Sequence, residues 1–298
     1  QVIFAVGLQV VASTALLRLG GWLVIDSQLT LGQLVASELV VTVVVGAFAK
    51  AGKSLEKFYD MMAGIDKVGH LLDIPPDPRL ETSELLDGPG EVSWNHLSFK
   101  TPTNTSKIAA SMIQAGSCVA IIGDDQVGKS QFAQAIAGLR TPEEGTIQVA
   151  GTDAFETAIS DAGEQIGYAG PPEIFHGSIR ENVGLGRSDI HQSRIREVLS
   201  IVQLGELILS LPDGLNTHLQ TDGFPLSYQQ KTQLVIARAI ASHPKVLVIN
   251  GLLDSLDQKT RDTIFQNLTV EDSGWTLMIV TNRDDIAELC DSTIAVHS

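Results

Sequence analysis

The stretch Gly123-Asp-Asp-Gln-Val-Gly128-Lys129-Ser130 decides the fold of this chain, because it fits the pattern G-x-x-x-x-G-K-[ST] of a phosphate-binding loop. It follows the apolar run Cys118-Val-Ala-Ile-Ile122 and precedes Gln131-Phe-Ala-Gln-Ala-Ile-Ala-Gly138, whose apolar residues recur at helical spacing. The sequence therefore predicts strand, loop and helix in the order that such a loop requires.

Each residue type in this loop suits a nucleotide phosphate. Gly123 and Gly128 let the backbone turn its N–H groups toward the phosphate, Lys129 adds a positive charge, and the hydroxyl of Ser130 suits Mg²⁺. The predicted contact residues are Gly123, Asp124, Asp125, Gln126, Val127, Gly128, Lys129, Ser130 and Gln131, with Ser130 at the magnesium ion. The alternative is a vestigial loop that keeps its shape and binds little nucleotide.

Two apolar segments open the chain, Val2–Ile25 and Leu31–Ala49. Each is long enough to cross a hydrocarbon layer of about 30 Å as a helix. The polar residues Asp26-Ser27-Gln28 separate them, so the pair predicts a helical hairpin in the membrane. The lysines that follow the second segment are Lys50, Lys53 and Lys57. By the positive-inside tendency, this end of the hairpin faces the cytoplasm.

The chain begins within the first apolar segment, on Gln1, and has no initiator Met. We therefore expect it to be the C-terminal part of a longer polypeptide with further membrane helices.

Two ionisable residues, Arg18 and Glu38, fall at membrane depth, where such residues favour a cavity or substrate role. Arg18 is close enough to the polar turn to snorkel toward it. Glu38 lies deeper in the second segment and is the better candidate for such a role.

The net charge of −15 and the lack of a basic cluster argue against a nucleic-acid partner, which would need lysines and arginines at its phosphates. The two cysteines, Cys118 in a predicted strand and Cys290 in a predicted helix, have no metal-ligand or redox spacing. They are interpreted as two small buried thiols in a reducing compartment.

The chain divides into an end of a membrane domain over residues 1–72, a linker over 73–89 and a nucleotide-binding domain over 90–298. Residues Ser54–Leu72 keep helical spacing, so the second membrane helix is predicted to continue into water. Asp73-Ile-Pro-Pro-Asp-Pro78 then marks the linker, because proline forces extended geometry.

Beyond the linker, predicted strands alternate with helical segments. The predicted strands are Gly90–Phe99, Gly116–Ile122, Gly145–Gly151, Lys245–Ile249 and Trp275–Thr281. The segment Ser178–Leu211 is mostly helical in pattern. Strands that alternate with helices around a phosphate loop predict an α/β sandwich.

The order of these features resembles an ATP-binding cassette (ABC) exporter. Leu226-Ser-Tyr-Gln-Gln230 stands where that family has its signature L-S-G-G-Q, and Val246–Asp257 stands where it has Walker B and the D-loop. Phe175–Val183 resembles the segment after the family's Q-loop, and Gly20–Leu34 resembles its exoplasmic turn. The resemblance implies an ABC cassette of the P-loop NTPase class. Its fold would be a mixed sheet flanked by helices, with a helical subdomain, preceded by an all-α transmembrane hairpin.

The resemblance also implies an ATP-binding subunit that uses ATP and Mg²⁺. It would lie in the lipid of the cytoplasmic membrane with its cassette in the cytoplasm, and would act with a second half-transporter on a transported substrate. Ser227 and Asp257 match the family and would contact nucleotide.

The departures from the family fall on the residues of hydrolysis. Walker B normally ends in Asp-Glu, which anchor magnesium and polarise the attacking water, and Asn250-Gly251 stand there instead. Asn282 stands at the position where the family has its switch histidine. Gly170 stands at the Q-loop glutamine, and Thr101 at the aromatic residue that stacks on adenine. Loss of a positioned base costs about 10²- to 10⁴-fold in rate, so hydrolysis is expected to be impaired.

The signature is altered as well, because Tyr228 and Gln229 add side chains where the family has glycines. Two functions are compatible with these departures: an exporter subunit that binds ATP and hydrolyses it poorly, or a non-catalytic regulatory or structural subunit of a heterodimeric transporter. Relaxed drift and a selected switch that holds ATP both account for Asn250 and Gly251. A soluble P-loop kinase or GTPase is disfavoured by the membrane hairpin.

Overall fold

The computed structural model describes residues 2–74, 88–100, 105–123, 126–158, 165–270 and 273–296. The chain divides into two units, Gln1–Pro76 and Asp77–Ser298. Thr101, Asp124, Asp125 and most of the predicted linker lie outside the described residues.

The first unit contains two helices, α1 (Val2–Ile25) and α2 (Leu31–Leu72), which pack against each other. They approach closely at Gly20, where an added Cβ would lie 2.3 Å from Cδ1 of Leu34. The helical hairpin predicted from the two apolar segments is therefore present. Within it, the side chain of Arg18 is exposed. One carboxylate oxygen of Glu38 is buried and has no hydrogen-bond partner among the described residues.

Helix α2 is continuous for 42 residues, so the second membrane segment and its predicted extension form one helix. It begins at a capping box in which the Gln33 N–H donates to Thr30 Oγ1 at 3.3 Å and the Thr30 N–H donates to Gln33 Oε1 at 2.9 Å. Within the described residues, α2 is the one helix that is long and apolar enough to cross a membrane. The stretch Val10–Ile25 of α1 counts as a shorter apolar helix.

The second unit alternates strands and helices around a parallel sheet. Its strands are β1 (Val92–Trp94), β2 (Leu97–Lys100), β3 (Thr105–Ile108), β4 (Ser111–Ile113), β5 (Cys118–Ile122), β6 (Ile147–Val149), β7 (Thr152–Asp153), β8 (Ile166–Ala169), β9 (Gly177–Ser178), β10 (His218–Leu219), β11 (Val246–Asn250), β12 (Thr276–Val280) and β13 (Ser292–Ala295). Its helices are α3 (Gln126–Ile136), α4 (Ala154–Ala158), α5 (Ile179–Gly184), α6 (Gln192–Ile201), α7 (Gly205–Ser210), α8 (Tyr228–Ala241), α9 (Gln258–Leu268) and α10 (Asp284–Ala287), with 3₁₀ turns at Gly214–Asn216 and Leu253–Ser255.

Five parallel strands form the central sheet in the order β13-β5-β12-β11-β8. Four more strands form a separate antiparallel sheet in the order β4-β1-β6-β7. Alternate residues of β11 face opposite sides of the central sheet. Leu247 and Ile249 join a core cluster with helices α5 to α9, whereas Val246 and Val248 join a second cluster with α3 and β1. Burial on both faces explains why β11 and β12 are continuous apolar runs in the sequence.

The predicted strand over residues 90–99 is wrong in one respect, because the structure divides it into β1 and β2. Asn95 lies between them, and its Oδ1 accepts a hydrogen bond of 2.7 Å from the Thr146 N–H. That contact redirects the chain, so β1 pairs with β4 and β6 while β2 pairs with β3.

The predicted helical segment over residues 178–211 is divided into α5, α6 and α7. Leu185 ends α5 in the left-handed region at φ 51°, and Gln203 has φ 62° between α6 and α7. Cys290 was predicted within a helix, but it lies three residues beyond the end of α10.

Candidate functional site

The phosphate-loop sequence connects β5 to α3, at the carboxyl end of the central sheet. Gly123 has φ +134°, and an added Cβ would lie 2.2 Å from the Val296 carbonyl oxygen. Only glycine fits this position, because other residues rarely adopt that φ and the backbone leaves no space for a side chain. Helix α3 begins at Gln126, and its first N–H groups form an N-terminus of the kind that attracts phosphate.

Lys129 lies in the first turn of α3 with a fully buried side chain. Its Nζ donates hydrogen bonds to Oδ1 of Asn282 and, at 3.5 Å, to the Thr281 carbonyl oxygen. Asp254 holds this turn in place: the Asn282 N–H donates to its Oδ2 at 2.8 Å, and the Thr281 hydroxyl donates to its Oδ1 at 2.5 Å. The ammonium group is thus held at the carboxyl end of β12 by the residue at the switch-histidine position.

Ser130 is connected to the end of β11. Its Oγ donates to Oδ1 of Asn250 at 3.3 Å, and Nδ2 of Asn250 donates to the Tyr168 hydroxyl at 3.0 Å. Gly251 follows with φ +71°, and its N–H donates to the Val280 carbonyl oxygen at 3.0 Å. An amide therefore stands beside the Ser130 hydroxyl, and the next position has no side chain.

These residues fit a bound nucleotide phosphate. The tight turn at Gly123, the N-terminus of α3, the ammonium of Lys129 and the hydroxyl of Ser130 are the donors that a phosphate needs. Ser130 and Asn250 also fit magnesium, because Ser130 Oγ and Asn250 Oδ1 are oxygen ligands of a type that Mg²⁺ accepts. Both of these oxygens are uncharged. Neither Asn250 nor Gly251 supplies the carboxylate that the family has there.

Two other predicted positions face the interior of the unit. The Nε2 of Gln131 donates to the Lys100 carbonyl oxygen at 3.0 Å, and its Oε1 is buried without a hydrogen-bond partner among the described residues. A Cβ on Gly170 would lie 2.6 Å from the ring of Tyr168. The tyrosine therefore fills the space beside Gly170 that a longer side chain there would need.

Ser227 and Asp257, the predicted contacts from the signature and the D-loop, cap helices in the structure. Ser227 Oγ accepts from the Gln230 N–H at 3.3 Å at the start of α8, and Asp257 Oδ1 accepts from the Thr260 N–H at 3.1 Å at the start of α9. Hydrogen bonds from Thr260 lower the pKa of Asp257 below its ordinary value. Tyr228 lies in the first turn of α8 with 56% of its surface exposed.

Asp254 and Tyr168 were not identified from the sequence, although they hold Asn282 and Asn250 in place. Asp254 lies inside the Walker B and D-loop stretch, three residues before Asp257. Its place in that stretch was the one feature of the sequence that could have identified it. Tyr168 lies in β8, 82 residues before Asn250, and no local pattern connects them.

Comparisons with known proteins agree with this geometry. Residues 107–251 match the family described as "ABC transporter". The chain is 26% identical over 279 residues to a probable multidrug resistance ABC transporter ATP-binding/permease protein, YheI, of Bacillus subtilis strain 168, covering 91% of this chain and 47% of that protein. It is 25% identical over 301 residues to the leukotoxin translocation ATP-binding protein LktB of Mannheimia haemolytica, covering 98% of this chain and 42% of that protein. The chain thus spans about half the length of these curated relatives.

A solved structure of a bacterial Atm1-family ABC exporter with ATP bound has a similar fold. The TM-score is 0.67 at 21% identity, and the match covers 91% of this chain and 48% of that one. The predicted fold class is therefore confirmed. The chain has a cassette fold in which residues 107–251 match the ABC transporter family, and two packed N-terminal helices precede this fold in the sequence.

Proposed function

We propose that this chain is the ATP-binding subunit of an ABC-type membrane exporter and that its own hydrolysis of ATP is impaired. One observation carries the proposal: the donors for the phosphates are in place, whereas the oxygen beside Ser130 belongs to the amide of Asn250 and not to a carboxylate. Gly123, Gly128, Lys129 and Ser130 would hold the phosphates. Ser130 and Asn250 would hold magnesium, which would supply charge neutralisation at those phosphates.

The impairment follows from what is absent at the ends of β11 and β12. Gly251 has no side chain to polarise a water molecule, and the amide of Asn282 cannot accept a proton as an imidazole does. The Asn282 oxygen is also occupied by Lys129. In this proposal the cassette binds and holds ATP, and the residues that would favour its cleavage are missing.

The exporter role rests on the names of the relatives and on the helical N-terminal unit. α1 and α2 would lie in the cytoplasmic membrane, with the cassette in the cytoplasm, and the chain would act beside a second half-transporter. Binding of ATP would then draw two cassettes together, and the membrane helices would respond.

The proposal predicts that ATP binding depends only weakly on magnesium. The full chain in detergent should bind ATP saturably both with Mg²⁺ and with a chelator, and the dissociation constant should change by less than about tenfold between the two conditions, because Ser130 and Asn250 are neutral. Isothermal calorimetry measures both values on one preparation.

The matched control is Asn250→Asp, which restores a carboxylate beside Ser130 without changing side-chain size. We expect the magnesium dependence of this variant to exceed that of the natural chain by about tenfold or more. The proposal fails if ATP does not bind at millimolar concentration. The claim that Asn250 weakens the magnesium dependence fails if ATP binding by the variant and by the natural chain depends equally on magnesium.

A second candidate function is a non-catalytic regulatory or structural subunit, in which nucleotide is a structural ligand at most. It is favoured by the internal contacts of Lys129, whose ammonium is already bound to Asn282 and Thr281. This candidate needs a partner chain that keeps the Walker B carboxylates. Affinity purification of the chain from its native membrane, followed by mass spectrometry, separates the two: recovery with a second copy alone excludes the regulatory role.

A further inference from the structure

Two thiols that are far apart in the sequence meet at one end of the central sheet. The Sγ atom of Cys118, the first residue of β5, lies 3.2 Å from the Sγ atom of Cys290. Two hydrogen bonds hold the segments together: the Cys118 N–H donates to the side-chain Oδ2 of Asp291 at 2.8 Å, and the Asp291 N–H donates to the Cys118 carbonyl oxygen at 2.9 Å. The spacing of the cysteines in the sequence gave no sign of this pairing.

The thiol pair is separate from the phosphate loop. Cys118 begins β5 and Gly123 follows its end, so the five residues of the strand place the two features roughly 17 Å apart. A cleft of about 490 Å³ opens beside Cys118, and its lining also includes Asp291, Trp275 and Leu289, the two neighbours of Cys290 in the sequence among them. Cys290 is half-buried and Cys118 is 9% exposed, so a small oxidant has a route to the pair.

The two thiols differ in reactivity. The hydrogen bond from Cys118 lowers the pKa of Cys290 below its ordinary value, whereas that bond and burial raise the pKa of Cys118. The thiolate is the reactive form, so Cys290 is the group that attacks and Cys118 is the neighbour that resolves.

We propose that Cys118 and Cys290 form an oxidisable dithiol, which a peroxide converts into an intramolecular disulfide. The Cys290 thiolate attacks the O–O bond of hydrogen peroxide and becomes a sulfenic acid, and the leaving hydroxide takes up a proton to form water. The Cys118 thiol then attacks the Cys290 sulfur, its proton leaves with the sulfenic oxygen as a second water molecule, and the S–S bond forms. The two thiols are oxidised by two electrons, and the peroxide is reduced.

The geometry favours closure of this bond within one chain. The sulfurs need to approach only from 3.2 Å to about 2.05 Å. The bridge would tie β5, which lies between β13 and β12 in the sheet, to the segment between α10 and β13. This inference does not depend on the proposed nucleotide function, because neither thiol belongs to the phosphate loop.

The test is peroxide treatment of the full chain in detergent, followed by alkylation under denaturing conditions and peptide mapping by mass spectrometry. Free thiols should fall from two to none, one linked peptide pair should contain Cys118 and Cys290, and dithiothreitol should restore both thiols. The rate should rise with pH, and the rise should begin at a lower pH than for an ordinary cysteine, because the hydrogen bond from Cys118 lowers the pKa of Cys290.

The variants Cys290→Ser and Cys118→Ala separate the roles of the two thiols. Cys290→Ser should leave Cys118 reduced under the same treatment, whereas Cys118→Ala should allow oxidation of Cys290 to a sulfenic or sulfinic acid without a bridge. The proposal is overturned if peroxide oxidises Cys290 in the natural chain and no linked pair appears, or if the linkage joins two chains. Peptide mapping of the natural chain shows whether Cys118 and Cys290 are linked, and electrophoresis of the oxidised chain without reductant shows whether the linkage joins one chain or two, even if a variant does not fold.

Discussion

Replacing Lys129 by methionine is expected to weaken ATP binding by about 10- to 100-fold, because one charge-assisted contact to a phosphate contributes roughly 1.5–3 kcal/mol. Methionine keeps most of the buried volume of the lysine stem and removes only its charge, so the fold should survive. Isothermal calorimetry of the full chain gives the dissociation constants of the variant and of the natural chain.

Two further variants separate the role of Lys129 from general effects of charge. Lys259→Met removes an exposed lysine in α9 and should leave ATP affinity unchanged. Asn282→Ala removes the side chain that accepts a hydrogen bond from the Lys129 ammonium, and it should not weaken ATP binding. Equal affinity of the Lys129→Met variant and the natural chain would mean that the loop does not bind phosphate.

Substitution of Gly123 by alanine is expected to lower the free energy of unfolding of the cassette by about 3 kcal/mol or more. The added methyl group would meet the Val296 carbonyl oxygen at 2.2 Å, and the φ of +134° is rarely open to alanine. Denaturant unfolding, followed by the fluorescence of the buried Trp94 and Trp275, measures the loss.

The matched control for Gly123 is Gly151. It also has a left-handed backbone, at φ +83°, but an added Cβ would meet nothing within 4 Å. Gly151→Ala should therefore cost only the conformational strain, about 1–2 kcal/mol. If the two substitutions destabilised the cassette equally, the close contact between Gly123 and Val296 would not exist in solution.

The fold was predictable wherever the signal is local. The phosphate loop, β5 and α3 follow from consecutive residues, and β11 and β12 follow from uninterrupted apolar runs. The contacts of the site were not predictable in the same way. Lys129 and Asn282 are 153 residues apart, and only the parallel order β5-β12-β11 brings their segments together.

The errors of prediction also have physical causes. The alternating residues around Asn95 suggested one strand, but side-chain bonds to Thr146 end β1 and turn the chain into a different sheet. The helical spacing of 178–211 is real within each piece, and the left-handed residues Leu185 and Gln203 divide it. The pairing of Cys118 with Cys290 depends on the position of β13 beside β5, which no local pattern encodes.

The central claim is that this cassette binds ATP and cleaves it slowly, and phosphate release at measured ATP occupancy tests it most directly. The full chain, saturated with ATP and Mg²⁺ as judged by calorimetry on the same preparation, should release phosphate no faster than the Lys129→Met variant. Turnover of about one per second or more, in the range of ordinary enzymes, that disappears in the Lys129→Met variant would contradict the account.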